Sequence, residues 1–133
     1  MVAGDTESAG VVADDRLCFH RNQRLLTAAD YRRVFQAPDH KAGQAEVLLL
    51  ARGNLLSHHR LGLAVAKKHL PTAVKRNLFK RLAREHFRRL TGSKKGLDII
   101  VLSRPGAAGV NRRAMRSAIS AQFQRLLRRA GAQ

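Results

Sequence analysis

Residues 60–103 read RLGLAVAKKHLPTAVKRNLFKRLAREHFRRLTGSKKGLDIIVLS, and the periods within that stretch decide the fold. In RLGLAVAKK (60–68), Leu61, Leu63 and Val65 alternate with Gly62, Ala64 and Ala66. That period of two predicts a strand with one bulky face for a core and one nearly bare face. A bare face lets another backbone or a flat ring approach closely. From Pro71 or Thr72 to about Leu90 the period changes. Val74, Leu78, Phe79, Leu82, Ala83, His86, Phe87 and Leu90 fall on one arc at about 100° per residue, which predicts an amphipathic helix. TGSKKG is a loop and LDIIVLS (97–103) a buried strand. Strand, helix and strand in this order predict a parallel pair joined by a helical crossover.

Upstream, Thr27 suits a helix N-cap with Asp30 three residues on, and Leu26 is placed to staple onto Tyr31. Tyr31, Val34 and Phe35 share one side of that helix, while Arg32 and Arg33 lie on the other. Pro38 ends it. DHKAGQ reads as a loop or short strand, AEVLLLAR (45–52) as a strand, and GNLLSHH as the turn that follows. Downstream, Pro105 and Gly106 break the chain. Asn111 then caps a last helix with Met115, Ile119, Phe123, Leu126 and Leu127 at helical spacing. With DHKAGQ counted as a strand, the order is α-β-β-β-α-β-α, an α/β (α+β) class.

The length of 133 residues suits one domain with a modest core, and 44% hydrophobic content is that of a globular chain. The domain is expected over residues 16–130, with residues 1–15 as a disordered extension. The formal charge of +17 repels itself in a compact state, so a polyanionic partner accounts for it better than solubility alone. From Val47 onward only Glu85 and Asp98 are acidic, against 20 Lys or Arg. Cys18 is the sole cysteine, which excludes an intramolecular disulfide and a multi-cysteine zinc cluster. The longest apolar runs, such as VLLLA (47–51), are far too short to span a bilayer. The N-terminus is acidic where a signal peptide is basic. A cytoplasmic protein without a membrane partner is the expectation.

The predicted helix over 73–90 holds seven Lys or Arg and a single acid, Glu85. Arg76, Lys80, Arg84 and Arg88 form a row at i+4 steps opposite the apolar arc, with Asn77 and Arg81 beside it. Like charges at that spacing destabilise a helix by a few tenths of a kcal/mol per pair unless an anion neutralises them. Phosphates along a nucleic-acid backbone would do so, and Asn77 could bond sugar or phosphate. A solvated amphipathic face is the plain alternative. The pattern lacks a second helix in helix-turn-helix arrangement, so DNA is not expected as the partner. No catalytic or metal-ligating set is visible. The acids are scattered, His58 and His59 sit in a turn, and Cys18 has no evident base partner.

KRNLFKRLAREHFR, preceded closely by LGLAVAKK, resembles the signature of the bacterial ribonuclease P protein family: Arg-Asn-Arg, an apolar residue, then Lys-Arg-x-x-Arg. Arg76, Asn77, Lys80, Arg81 and Arg84 match it in type and spacing, while Leu78 stands where the family usually has its second arginine. FHRNQRLLTAADYRRVF (19–35) is similar to the family's N-terminal segment and DIIVLSR to its last strand, so the likeness spans roughly residues 16–129.

The resemblance implies a subunit of the endonuclease that removes the 5′ leader from precursor tRNA. In that family the RNA subunit is the catalyst and holds the Mg²⁺ ions, and the protein binds no cofactor of its own. It implies a small two-layer sandwich like a ribosomal-protein domain, with a four-stranded sheet and a left-handed crossover, against the usual right-handed rule. By the same resemblance Lys67, Lys68, Arg76, Asn77, Lys80, Arg81 and Arg84, with Arg88 completing the row, meet the catalytic RNA. Tyr31 and Phe35, over a floor of Gly62, Ala64 and Ala66, line a cleft for the single-stranded leader. Stacking on an aromatic ring contributes about 1–3 kcal/mol per base and tolerates any base, as variable leaders require. Core packing is the plain alternative for both rings. A structural RNA binder, such as a ribosomal protein, is the alternative function.

Overall fold

A computed structural model describes residues 27–56, 58–90 and 96–130. The expected extension over residues 1–15, Cys18, Phe19, the Leu26 staple and most of the TGSKKG loop lie outside the described residues. The chain runs α1 (Ala28–Gln36), β1 (His40–Gly43), β2 (Val47–Gly53), β3 (Arg60–Ala64), α2 (Ala73–Arg88) and β4 (Leu97–Ser103). A short 3-10 turn (Pro105–Gly109) and α3 (Arg112–Ala130) complete it. The element order is the one expected, with DHKAGQ supplying the short β1.

The strands form one sheet in the order β1-β2-β4-β3. β1 pairs with β2 and β2 with β4 antiparallel, while β3 lies parallel to β4 on the free edge. The β3–α2–β4 passage is therefore the parallel crossover unit that its periodicity predicts. β3 stops at Ala64, earlier than the period-two run suggests. Its partner is exhausted there: Ala64 lies opposite Leu102, β4 ends one residue later, and the Ala66 N–H turns to Ser103 Oγ instead (2.9 Å).

Register sorts the side chains into two unlike faces. Leu49, Ala51, Ile99, Val101, Leu61 and Leu63 point to the side covered by α2 and α3, and there they join Phe79, Leu82, Phe87, Met115, Ile119 and Phe123 in the main core. Leu50 and Ile100 point the other way, against Tyr31 and Val34 of α1, with Leu48, Ala64 and Leu102 at the margin of this smaller cluster. The two-layer arrangement describes the main core, and α1 adds a partial third layer.

Helix starts follow their caps. Thr27 and Asp30 close a reciprocal capping box on α1, Thr72 Oγ1 accepts from the Lys75 N–H (3.2 Å), and Asn111 Oδ1 accepts from the Ala114 N–H (2.8 Å). The apolar arc of α2 is buried as predicted at Phe79, Leu82, Ala83 and Phe87, and Leu78 and Leu90 are half-buried against it. Val74 is the exception at 78% exposed. It lies in the first turn, just past the Leu70–Pro71 bend. Gly96 lets β4 begin directly beneath the β2–β3 loop, because a Cβ there would collide with the His58 carbonyl oxygen.

Candidate nucleic-acid interface

α2 carries its cations on the face turned from the core. Asn77 and Arg81 are exposed, and Arg76, Lys80, Arg84 and Arg88 are half-buried. From Arg76 to Arg88 the row extends about 18 Å at 1.5 Å per residue. The one acid of the helix does not serve it. Glu85 Oε1 is drawn to Arg116 Nη1 of α3 (3.2 Å), across the seam where His86 also stacks on Phe123 with ring centroids 6.1 Å apart.

Lys67 and Lys68 are exposed in a turn between β3 and α2, not on a strand as their sequence suggests. The turn is firmly built. Ala66 O accepts from the N–H groups of His69 (3.0 Å) and Leu70 (3.1 Å), and Ser103 Oγ lies 3.0 Å from His69 Nδ1. Arg76 reaches back to it, with Nη1 donating to Leu70 O (3.0 Å) and Pro71 O (2.9 Å). Arg76 thus spends part of its guanidinium on positioning the turn that presents the two lysines.

The cleft residues come together only in part. Gly62 and Ala64 lie on the α1 side of the sheet, in register with Ile100 and Leu102. Ala66 falls beyond the end of the strand, bound to Ser103, and so is not part of the sheet floor. Tyr31 is 8% exposed and its hydroxyl accepts from the Leu63 N–H of the edge strand (3.2 Å), which makes it a post under α1 rather than an open ring. Phe35, one turn on, is 44% exposed beside the exposed Arg32. Of the two rings expected to line a cleft, it is the one open to solvent.

Sequence reasoning missed an ionic cluster at one end of the same face. Asp98, 1% exposed, receives Arg60 Nε on Oδ1 and Arg60 Nη2 on Oδ2, both at 2.8 Å, and Asn54 Nδ2 on Oδ1 at 2.8 Å. Asp30 of α1 lies 3.6 Å from the same Arg60 Nη2 and 3.6 Å from Arg33 Nη2. The hydrogen bond to Asp98 is the main cause that raises the Arg60 guanidinium above its ordinary range; burial opposes it, and the charges of Asp98 and Asp30 reinforce it. A bidentate pair of this kind is among the stronger charge-assisted contacts. The signal in the sequence was a single acid inside an otherwise apolar strand, LDIIVLS, with Arg60 opening its neighbour.

This chemistry is structural. Asp98 already accepts from two guanidinium nitrogens and a side-chain amide, and among the described residues no three His, Cys, Asp or Glu side chains come together to hold a metal ion. His59 is buried, and its Nδ1 accepts from the Leu97 N–H (3.0 Å). Burial first, and the neighbouring His58 second, push its imidazole below the ordinary histidine value. No described helix is long and apolar enough to cross a membrane.

A family model described as Ribonuclease P matches residues 19–130. The ribonuclease P protein component of Yersinia enterocolitica is 42% identical over 117 residues, which cover 88% of this chain and 98% of the relative. That of Pseudomonas aeruginosa is 43% identical over 110 residues, covering 83% and 82%. The solved structure of the Staphylococcus aureus RNase P protein superposes with a TM-score of 0.65 at 27% identity, covering 83% of this chain and 96% of that one.

Proposed function

Since this chain belongs to the ribonuclease P protein family, we propose that its α2 face docks on the catalytic RNA of the enzyme while the α1 cleft receives the 5′ leader of precursor tRNA. As a protein subunit of ribonuclease P it acts in tRNA processing and associates with ribonuclease P RNA. The observation that carries the docking is a cationic row on α2 whose only helical acid, Glu85, is occupied by Arg116. Lys80, Arg81, Arg84 and Arg88 meet phosphates, Asn77 bonds sugar or phosphate, and Lys67 and Lys68 extend the contact from their turn. Arg76 contributes by holding that turn and with what remains of its guanidinium. In the cleft, Phe35 stacks on a leader base without regard to its identity, Arg32 meets the adjoining phosphate, and the small Gly62 and Ala64 keep the floor low. Tyr31 sets the height of α1 above it.

On this reading the RNA performs the cleavage and holds the Mg²⁺ ions, the protein supplies binding energy and orientation, and the particle works in the cytoplasm. Reconstitution tests it. Ribonuclease P RNA and precursor tRNA are incubated at low Mg²⁺ with and without the protein, and leader release is followed. Faster release with the protein is expected. No gain defeats the reading, and leader release by the protein without RNA overturns its assignment of catalysis. Phe35→Ala should weaken binding of leader-bearing precursor more than of mature tRNA; equal losses argue against the leader cleft.

A further inference from the structure

We infer that the interface for the catalytic RNA continues from α2 onto the first turn of α3, with Arg112 and Arg113 as additional phosphate contacts. This rests on the docking of α2 proposed above and extends it to residues that the basic signature does not contain.

The topology brings the two helix starts to one end of the molecule. β3 and β4 are parallel, α2 returns from the end of β3 to the start of β4, and α3 sets out from the end of β4 over the same sheet face. The two helices therefore run in the same sense. Lys75 Nζ, in the first turn of α2, donates to the Ala108 carbonyl (3.4 Å), just ahead of the start of α3. Lys67 and Lys68, exposed in the turn before α2, and Arg112 and Arg113, exposed at the start of α3, thus stand around one rim with Lys75 between them.

Among the described residues, charge at this rim is uncompensated in a way that fits a polyanion. Neither α2 nor α3 has an acid in its first turn, whereas α1 has Asp30 there. α3 carries six arginines and no acid along its whole length. The acid at the same end of the sheet, Glu46, sits on the β1–β2 turn with its Oε1 taken by Gln44 Nε2 (2.8 Å). Cations in a first turn oppose the helix dipole and lower helix stability. Residues kept there at that cost, beside two lysines already assigned to RNA, suit a phosphate backbone that crosses from one helix start to the other.

Binding of the full-length protein to labelled ribonuclease P RNA, measured across a salt series, tests this. The double variant Arg112→Gln/Arg113→Gln should lower the log–log salt slope by about 1.4–1.8, at 0.7–0.9 per lost phosphate contact. Arg89→Gln/Arg128→Gln, which removes the same charge at the far ends of the two helices, should leave the slope nearly unchanged. Arg112→Glu/Arg113→Glu should raise the melting temperature, since acids favour a helix start, while weakening RNA binding further. Equal slopes for wild type and the 112/113 variants overturn the inference, as does an equal loss in the 89/128 control, which would mark a general charge effect. A loss confined to precursor tRNA would also overturn it. Lys80→Gln/Arg84→Gln, run in parallel, separates the two levels. A flat result there defeats the α2 docking itself, whereas a loss there without one at 112/113 defeats only its extension.

Discussion

The two faces of the sheet are held by different forces. On the α2/α3 face, apolar side chains interlock and the cations of α2 lie on the side turned from that core. On the α1 face the apolar contact is small: Tyr31 and Val34 on Leu50 and Ile100. Polar tethers complete it, namely the Tyr31 hydroxyl on Leu63 and the Asp30–Arg60–Asp98 cluster. Arginine is abundant on both faces, and the position of the acids decides its role. Where Asp98 and Asp30 lie within reach, a guanidinium becomes part of the fold. Glu85, the one acid of α2, is instead drawn to Arg116 of α3.

Arg60→Met attacks the contrast where it is strongest. It leaves Asp98 buried with Asn54 and a more distant Arg33, and truncating one member of a buried pair costs about 3–5 kcal/mol. Urea unfolding should show a correspondingly lower midpoint. A change within about 0.5 kcal/mol, as at an ordinary surface arginine, would show that charge does not hold α1 down.

Leu78→Arg probes the border between the core and the basic face. Leu78 is half-buried and packs against the main core, so the variant should lose about 1 kcal/mol of stability, softened because an arginine stem can cover apolar surface. It should also steepen the salt dependence of RNA binding by about 0.7–0.9. A stability loss well beyond this without any gain in slope would assign the position wholly to the core.

The smallest effect belongs to His59. Its folded-state affinity for protons is reduced by burial, so between pH 6.5 and its lowered folded value the unfolded chain binds more protons. Stability should therefore fall as pH drops through that window, and it should be at its full value above it. His59→Asn keeps an acceptor for the Leu97 N–H and should flatten the profile; an unchanged slope would show that His59 is not its source.

Much of this was legible in the residues. The period-two run at 60–64, the helical arc from Leu78 to Leu90 and the caps at Thr27 and Asn111 are local patterns, because each depends on backbone geometry within a few residues; the start of α2 was narrowed only to Pro71 or Thr72. The basic row was legible for the same reason, since i+4 spacing on one helix fixes neighbours without any tertiary contact. Ala66 and Val74 were misplaced because their surroundings are set by where β4 ends and where the sheet stops beneath α2. The Arg60–Asp98 pair joins residues 38 positions apart and was invisible to any local period.

The sequence by itself determined most of the elements and the cationic face, which follow from short-range spacing and composition, and its motifs carried the resemblance to the family. Only the tertiary structure decided which charges are spent inside the fold. It turned Glu85 toward Arg116, buried Tyr31 beneath α1 while leaving Phe35 in the open, and set the starts of α2 and α3 side by side. The reason is physical: whether a charge is neutralised depends on what lies within a few ångströms, and across a sheet those neighbours come from distant parts of the chain.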